Sequence, residues 1–379
     1  MTATVARFVH DQPAVARDVL ARVAPAAAAA LSGATPVDRV LLVGSGTSHH
    51  ASRVALADFA AGRCAHALVP SDAATELERW VLDGARPGLL VVGVSQSGRS
   101  TATLDVLRRA RAAGARTLLV TGGPAERDEA ADAVLDVGCG PEPVGAKTKG
   151  FTATVLALVV LGRLLARTGT GRGGTVPLPG TRAFDDLDRV PGAVEDVLRR
   201  SGPLEGLLAG SAPTAVHVVS WGPWRAVADE GALKLLETSL LPVESWDVEE
   251  FLHGPHRRLG PGSLLVVVGD RTRWGTRADA LAGFVRSLGG KVLDVRSGGQ
   301  DRAGPGHVTL ALPAAPTPAV ADVLPAVVPL QLLALALTAA CGRSAEDDPF
   351  PDFHRLLGSK TPSTATGPGG APHRPGGAP

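Results

Sequence analysis

GLLVVGVSQSGRSTATLDVLRRARAAG, residues 88–114, decides the fold. Apolar residues run almost unbroken to Val94, stop at SQSGRS, and give way to a helix-like pattern. An apolar run of this length, passing through a polar loop into a helix, is the βα step of a parallel sheet covered on both faces. The question it raises is why a buried strand should end in three hydroxyls, an amide and a glycine.

The same step recurs on either side. RVLLVGSG leads into SHHASRVALADFAAG ahead of it, and ARTLLVTG follows it. In the second half TAVHVVSWG precedes ADEGALKLLETSL, GSLLVVVGD precedes RADALAGFVRSLGG, and KVLDV follows. Matching Gly46 to Gly222 and Gly114 to Gly289 gives offsets of 176 and 175 residues, so the chain reads as a duplicated α/β domain, each copy a parallel sheet flanked by helices. ARTGTGRGGTVPLPGTR, rich in Gly, Thr and Pro, reads as the linker between them. The chain thus divides into a lead-in helix (1–30), a first domain (31–180), a second domain (181–345), a tail (346–362) and a last segment (363–379) too poor in apolar residues to order itself.

With 379 residues, 45% of them hydrophobic, the chain can build two cores of ordinary size. Its 38 basic residues balance 37 acidic ones, and no Lys/Arg run exceeds short helix faces such as RRARAAGAR, which argues against a nucleic-acid or polyanion surface and for a small ligand. Cys64, Cys139 and Cys341 are isolated and lack CxxC spacing, so neither a disulfide framework nor a zinc site is expected, and a reducing cytoplasm fits. The N-terminal stretch carries acids and no uninterrupted apolar region, so no secretory signal is expected. AVVPLQLLALALTAACG, with Pro329 and Gln331 near its start, reads as a core helix rather than a membrane span.

In a doubly wound sheet the ligand sits beyond the carboxyl ends of the strands, where loops lead into helix N-termini. SQSGRS occupies that place. A helix start offers unpaired N–H groups and partial positive charge; Ser95, Ser97 and Ser100 add hydroxyls, Gln96 an amide, and Gly98 lets the backbone come close. One serine would suffice for an ordinary N-cap. GSGTSHH, residues 44–50, is a second loop of this type, bringing Gly46, Thr47 and Ser48 beside the first; without the third glycine of a dinucleotide fingerprint it favours a phosphate. The matching loop of the second half, GDRTRWG, has lost the serines.

The second half carries candidate chemistry instead. In DEGALKLLETSL, Lys234 and Glu237 share a helix face, and His253 follows sixteen residues after Glu237 in FLHGPH. A carboxylate can move a proton between adjacent sugar carbons, a lysine can stabilise the enediolate oxygen, and a histidine can shuttle the ring-opening proton. On spacing alone, Glu230, Lys234 and Glu237 equally suit a solvated ion-pair ladder, and His253 a turn cap.

GSGTSHHA, SQSGRS, AKTKGFTA, EGALKLLE, HGP and VVPLQLLALAL, in that order between about residue 8 and about residue 362, together resemble the isomerase half of glucosamine-6-phosphate synthase (glutamine–fructose-6-phosphate amidotransferase), which is built of two tandem sugar isomerase (SIS) domains. The resemblance implies a cofactor-free homodimer acting on a phosphorylated sugar or aminosugar, with phosphate held by Ser95, Gln96, Ser97, Ser100, Thr47 and Ser48. It implies that Glu237 transfers the proton, Lys234 partners the enediolate, and His253 opens the ring in a neighbouring subunit's site. The tail DDPFPDFHRLLGSKTPS resembles one that brings a lysine to the ketose carbonyl as a Schiff base, here Lys360, with a spacing one residue longer.

The departures are as informative. The synthase has an N-terminal glutaminase domain with a cysteine after the initiator methionine; this sequence begins Met1-Thr2 without one, so a glutamine-independent reaction is expected. Where the family's phosphate loop usually has an acid, Arg99 stands here, and where its AST-type loop has a serine, Lys147 stands. Turned inward, both would favour a more negatively charged or smaller ligand; long cations also snorkel outward from loop edges. His49 and His50 also differ from the family. The sequence therefore supports an SIS-type isomerase or aminosugar-phosphate deaminase, with a non-catalytic sugar-phosphate sensor as the alternative.

Overall fold

The computed structural model describes residues 4–33, 36–82, 88–123, 129–168, 184–315 and 317–361. Most of the expected linker and the whole of 363–379 lie outside the described residues. The first half runs α1 (Val5–Leu31), β1 (Arg39–Val43), α2 (Thr47–Phe59), β2 (Cys64–Leu68), α3 (Pro70–Leu82), β3 (Leu89–Val94), α4 (Thr101–Ala112), β4 (Arg116–Thr121), β5 (Ala133–Asp136) and α5 (Lys149–Thr168). The second runs α6 (Val190–Arg200), α7 (Pro203–Leu207), β6 (Ala215–Ser220), α8 (Arg225–Ser239), β7 (Val243–Asp247), α9 (Val248–Leu252), β8 (Ser263–Gly269), α10 (Arg273–Ser287), β9 (Lys291–Ser297), β10 (Arg302–Gly304), β11 (His307–Leu312), α11 (Val320–Val323), α12 (Val327–Ala340) and α13 (Phe353–Leu356).

The first sheet has the order β2-β1-β3-β4-β5 and is parallel throughout. The second has the order β10-β11-β9-β8-β6-β7, parallel except for the β10–β11 edge pair. Without β10, its strands β6, β7, β8, β9 and β11 stand where β1 to β5 stand in the first. The matched glycines agree as well: φ is +52° at Gly46 and +54° at Gly222, +85° at Gly114 and +82° at Gly289, all in the left-handed region that favours glycine.

Every residue of β3 and of β8 is buried, as their unbroken apolar runs require. Alternate side chains serve two layers: Leu90 and Val92 join one core with Val40 and Leu42, while Leu89 and Val91 join Leu104 and Leu107 of α4 in another. The first of these cores is shared, since Val216, Val218, Leu264 and Val266 of the second sheet belong to it too. Helices α1, α2, α5, α8 and α12 fill the space between the sheets.

Two helices, 149–167 and 320–340, are long and apolar enough to cross a membrane by length and composition, and both are mostly buried inside the fold. The lead-in helix α1 packs on α5 and α6. Its buried Gln12 donates to Gln331 on α12 at 2.7 Å and accepts from Thr152 on α5 at 2.6 Å, a polar tie through an otherwise apolar layer.

Candidate active site

In the first sheet β1 connects outward to β2 and β3 connects the other way to β4, so the loops after β1 and β3 flank the topological switch point. Gly44–Gly46 and Ser95–Ser100 are those loops. Gly44 is confined, because a Cβ there would meet Ser48 Cβ at 2.9 Å. Gly98 has φ +66° and turns the second loop. Within it, Ser95 Oγ accepts from Ser100 N at 3.3 Å, Ser97 Oγ from Arg99 N at 3.3 Å, and Ser100 Oγ from Thr103 Oγ1 at 3.1 Å. Each of the three hydroxyls is fixed as an acceptor, which leaves its own proton for an outside acceptor.

Gln96 and Thr47 are placed differently from the expectation. The Gln96 amide turns down, with Nε2 3.5 Å from Cys139 Sγ and against Gly150, where a Cβ would come within 1.6 Å of it. It ties the loop to the start of α5. Thr47 Oγ1 donates to Glu230 Oε1 at 3.1 Å and accepts from Lys234 Nζ at 3.1 Å, so its proton is spent on the second half. Ser48 is half-buried at the start of α2.

Helix α8 meets α2 across the interface of the halves. It lies close on α12 because residue 231 is glycine: a Cβ there would sit 1.9 Å from Leu330 Cδ2. This packing buries the face that carries Glu230, which is 0% exposed, and Lys234, which is 1% exposed. The solvated ladder is therefore ruled out. Lys234 Nζ lies 2.5 Å from Glu237 Oε2 and 3.5 Å from Glu230 Oε1, and His50 Nδ1 lies 2.9 Å from Glu230 Oε2. Burial pulls the Lys234 ammonium down, but the two carboxylates outweigh it and hold its pKa above the ordinary value, so it is a fixed cation. Beside His50, burial together with Arg53 and His50 pushes His49 down to about 4, and that ring is neutral at pH 7. The Glu237 side chain is 37% exposed and lines an open cleft of about 350 Å³ with Thr238, Arg343, Ser344, Asp347 and Asp348.

The AKTKGFTA segment closes another side. Buried Glu142 organises it, accepting from Thr148 N at 2.6 Å, Thr148 Oγ1 at 2.8 Å and Gly150 N at 3.2 Å. Lys147 donates to the carbonyls of Glu142 and Val144 and does not turn out to solvent. Burial lowers its pKa, with Lys360 and Lys234 adding to the effect. The tail lies over the serine loop: Thr361 N donates to Arg99 O at 2.9 Å, Thr101 N to Ser359 O at 3.3 Å, and Ser100 and Lys360 pair as an antiparallel bridge. Arg99 Nη1 follows the tail to Thr361 O at 3.5 Å. Lys360 is half-buried, and burial together with Arg99 presses its pKa down.

Lys234, Glu237, Lys147, Lys360 and the serine loop are thus brought together from both halves and the tail. His253 is not. It caps α9, is exposed, and its Nδ1 lies 2.8 Å from Glu249 O. Sequence reasoning named Glu230 and His50 without giving either a place in the site, and missed Glu142. The first was visible four residues before Lys234 but indistinguishable from a surface pair; Glu142 carries no motif at all.

A family model described as SIS domain matches residues 35–163, which span β1 to α5 and include the serine loop. Residues 35–163 are a SIS domain. Over most of its length the chain is similar to the isomerase half of glutamine–fructose-6-phosphate aminotransferases: 31% identical over 344 residues to that of Bradyrhizobium diazoefficiens, covering 87% of this chain and 55% of the relative. The Caulobacter vibrioides enzyme is 26% identical, with 89% and 56% covered. The chain spans about half the length of the curated relatives it matches.

Solved SIS-fold structures superpose on both halves at once. A Clostridium difficile 630 protein provisionally described as a phosphosugar isomerase has a TM-score of 0.77 at 22% identity, covering 95% of this chain and 99% of that one. The C-terminal domain of glucosamine-fructose-6-phosphate aminotransferase from Francisella tularensis gives 0.69 at 20%, with 92% and 98% covered. Glucosamine-6-phosphate deaminase from Thermotoga maritima gives 0.64 at 19%, with 91% and 97% covered. At these identities they establish the fold alone.

Proposed function

We propose that the chain is a phosphosugar isomerase or aminosugar-phosphate deaminase of the SIS type, built of two SIS domains and acting on a hexose 6-phosphate or a related phosphorylated sugar. The observation that supports this is the buried Lys234 ammonium, held between Glu230 and the half-exposed Glu237 and bonded to Thr47 at the start of the helix that follows the first loop. Phosphate is bound by the free protons of Ser95, Ser97 and Ser100 and by the start of α4. Glu237 removes the proton from the carbon next to the carbonyl and returns it to its neighbour, while Lys234 stabilises the enediolate oxygen. This transfer draws on no glutamine.

Lys360, with its pKa pressed down, holds more free amine at neutral pH than an ordinary lysine. Its nitrogen attacks the ketose carbonyl, water leaves, and a Schiff base forms. His253, exposed on its own subunit, supplies the ring-opening proton to the site of a second copy, so the active unit is a homodimer.

The test is exchange of the substrate's carbon-bound proton for deuterium, followed by NMR in heavy water with fructose 6-phosphate and glucosamine 6-phosphate. Glu237→Gln should slow exchange by roughly 10²–10⁴-fold while leaving affinity for the unreactive sorbitol 6-phosphate unchanged. Exchange that survives this substitution, or that is absent from the unmodified protein, overturns the assignment in favour of a sensor.

A further inference from the structure

Lys234 lies between two carboxylates that do not share it equally. Its Nζ is 2.5 Å from Glu237 Oε2 but 3.5 Å from Glu230 Oε1. Burial alone would favour the opposite arrangement, because Glu230 is 0% exposed and the Glu237 side chain 37%, and opposite charges attract more strongly where water is excluded. Something holds the ammonium to the weaker, wetter partner.

Glu230 is already supplied with donors. Thr47 Oγ1 donates to its Oε1 at 3.1 Å, and His50 Nδ1 lies 2.9 Å from its Oε2. A carboxylate only accepts, so Nδ1 carries the proton of that bond. Thr47 and His50 stand three residues apart in the first turn of α2 and so share a face, where α2 meets α8. The ammonium has three protons. Thr47 Oγ1 takes one at 3.1 Å and Glu237 Oε2 another at 2.5 Å, and the third stays available to a substrate oxygen only while Glu230 keeps its distance. Without the imidazole, Glu230 Oε2 would be a buried anionic oxygen lacking its donor, and Lys234 is the cation beside it that can relieve this. The ammonium would then close on Glu230 and withdraw from Glu237.

We propose that His50 is a positioning residue for the proton transfer: by satisfying Glu230 it leaves Lys234 directed at Glu237 and at the developing enediolate oxygen. It acts through Glu230 rather than on the substrate. The inference rests on the phosphosugar reading above and adds to it a residue contributed by the SIS domain's own first helix turn.

Deuterium exchange at saturating substrate, followed by NMR with fructose 6-phosphate and glucosamine 6-phosphate, separates this role from packing. His50→Phe keeps a ring and removes the donor. Its exchange rate should fall about tenfold or more, the worth of one hydrogen bond to a charged group, while sorbitol 6-phosphate binds as before in a calorimetric titration whose stoichiometry counts the folded protein. His50→Gln, which offers an N–H again, should recover most of the rate. Adding Glu230→Gln to His50→Phe removes the competing charge and should also recover part of it, which a packing defect would not allow. An unchanged rate in His50→Phe, or a loss that neither substitution relieves, overturns the positioning role and leaves the phosphosugar reading standing. Should His50→Phe not fold, the double variant takes its place, and a rate well below that of Glu230→Gln alone overturns the role. If the unmodified protein exchanges no proton, the phosphosugar reading itself fails and the role of His50 falls with it.

Discussion

The loops after β3 and β8 occupy equivalent places in the two sheets and differ in length and in what fills them. The loop after β3 holds Ser95, Ser97 and Ser100, whose hydroxyls accept inside the loop and keep their protons free. The loop after β8 holds Asp270, whose carboxylate accepts from Thr272 Oγ1 at 2.6 Å, Thr272 N at 3.1 Å and Trp221 Nε1 at 3.1 Å. The second switch point thus carries its own anion where the first presents hydroxyls. A helix N-terminus is common to both, so it does not make a binding site by itself. The side chain at the mouth decides, and the half whose mouth Asp270 occupies packs α8, the helix after β6, against α2 of the other half.

The largest expected effect on binding comes from moving the acid across. Ser97 is exposed, so Ser97→Asp leaves the fold intact while placing a carboxylate where the proposed phosphate lies. Like charges at that distance cost several kcal/mol, and affinity for sorbitol 6-phosphate should fall about a hundredfold or more in a calorimetric titration. Retained affinity would mean that the two loops do not differ in the way described.

An effect on stability sharpens the comparison of α2 with α8, which follow the equivalent glycines Gly46 and Gly222 yet contribute unlike residues. Lys234→Met strands two carboxylates, one of them fully buried, and should lower stability to urea by roughly 3–5 kcal/mol. Adding Glu230→Gln should recover part of that loss, since the two residues share one network through Thr47. Additive losses would show that Glu230 does not hold the lysine.

How much of this the sequence disclosed follows from where each signal originates. The βα steps were legible because β3 and β8 are buried on both faces and must be apolar throughout. Helix α5 offers no comparable signal: it lies between the sheets, its residues from Phe151 to Leu161 are all buried, and a helix apolar on every side has no period to read. Lys234 and Glu237 were legible as neighbours on a helix. Whether that face is wet or dry depends on α12, some hundred residues further on, and local spacing carries no trace of it. The inward turn of Gln96 depends in the same way on Gly150 and Gly122. The pairing of Lys360 with Ser100 had only a loose motif behind it.

The smallest prediction isolates the charge in the second loop. Burial alone would raise the Asp270 pKa, but the hydrogen bonds from Thr272 and Trp221 outweigh it and leave the carboxyl below its ordinary value. A carboxyl depressed on folding stabilises the native state above its unfolded pKa of about 3.9, and that contribution is lost as pH falls through the folded value. Asp270→Ala should therefore cost about 1 kcal/mol at pH 7, at the low end for a charged acceptor because the site is partly open to solvent. In urea titrations stepped down from pH 7 towards pH 3, the difference from the unmodified protein should hold steady and then narrow below about pH 4. A gap that stays constant to the lowest pH would mean that shape rather than charge fills the second mouth, and the contrast between the loops would then lose its electrostatic basis.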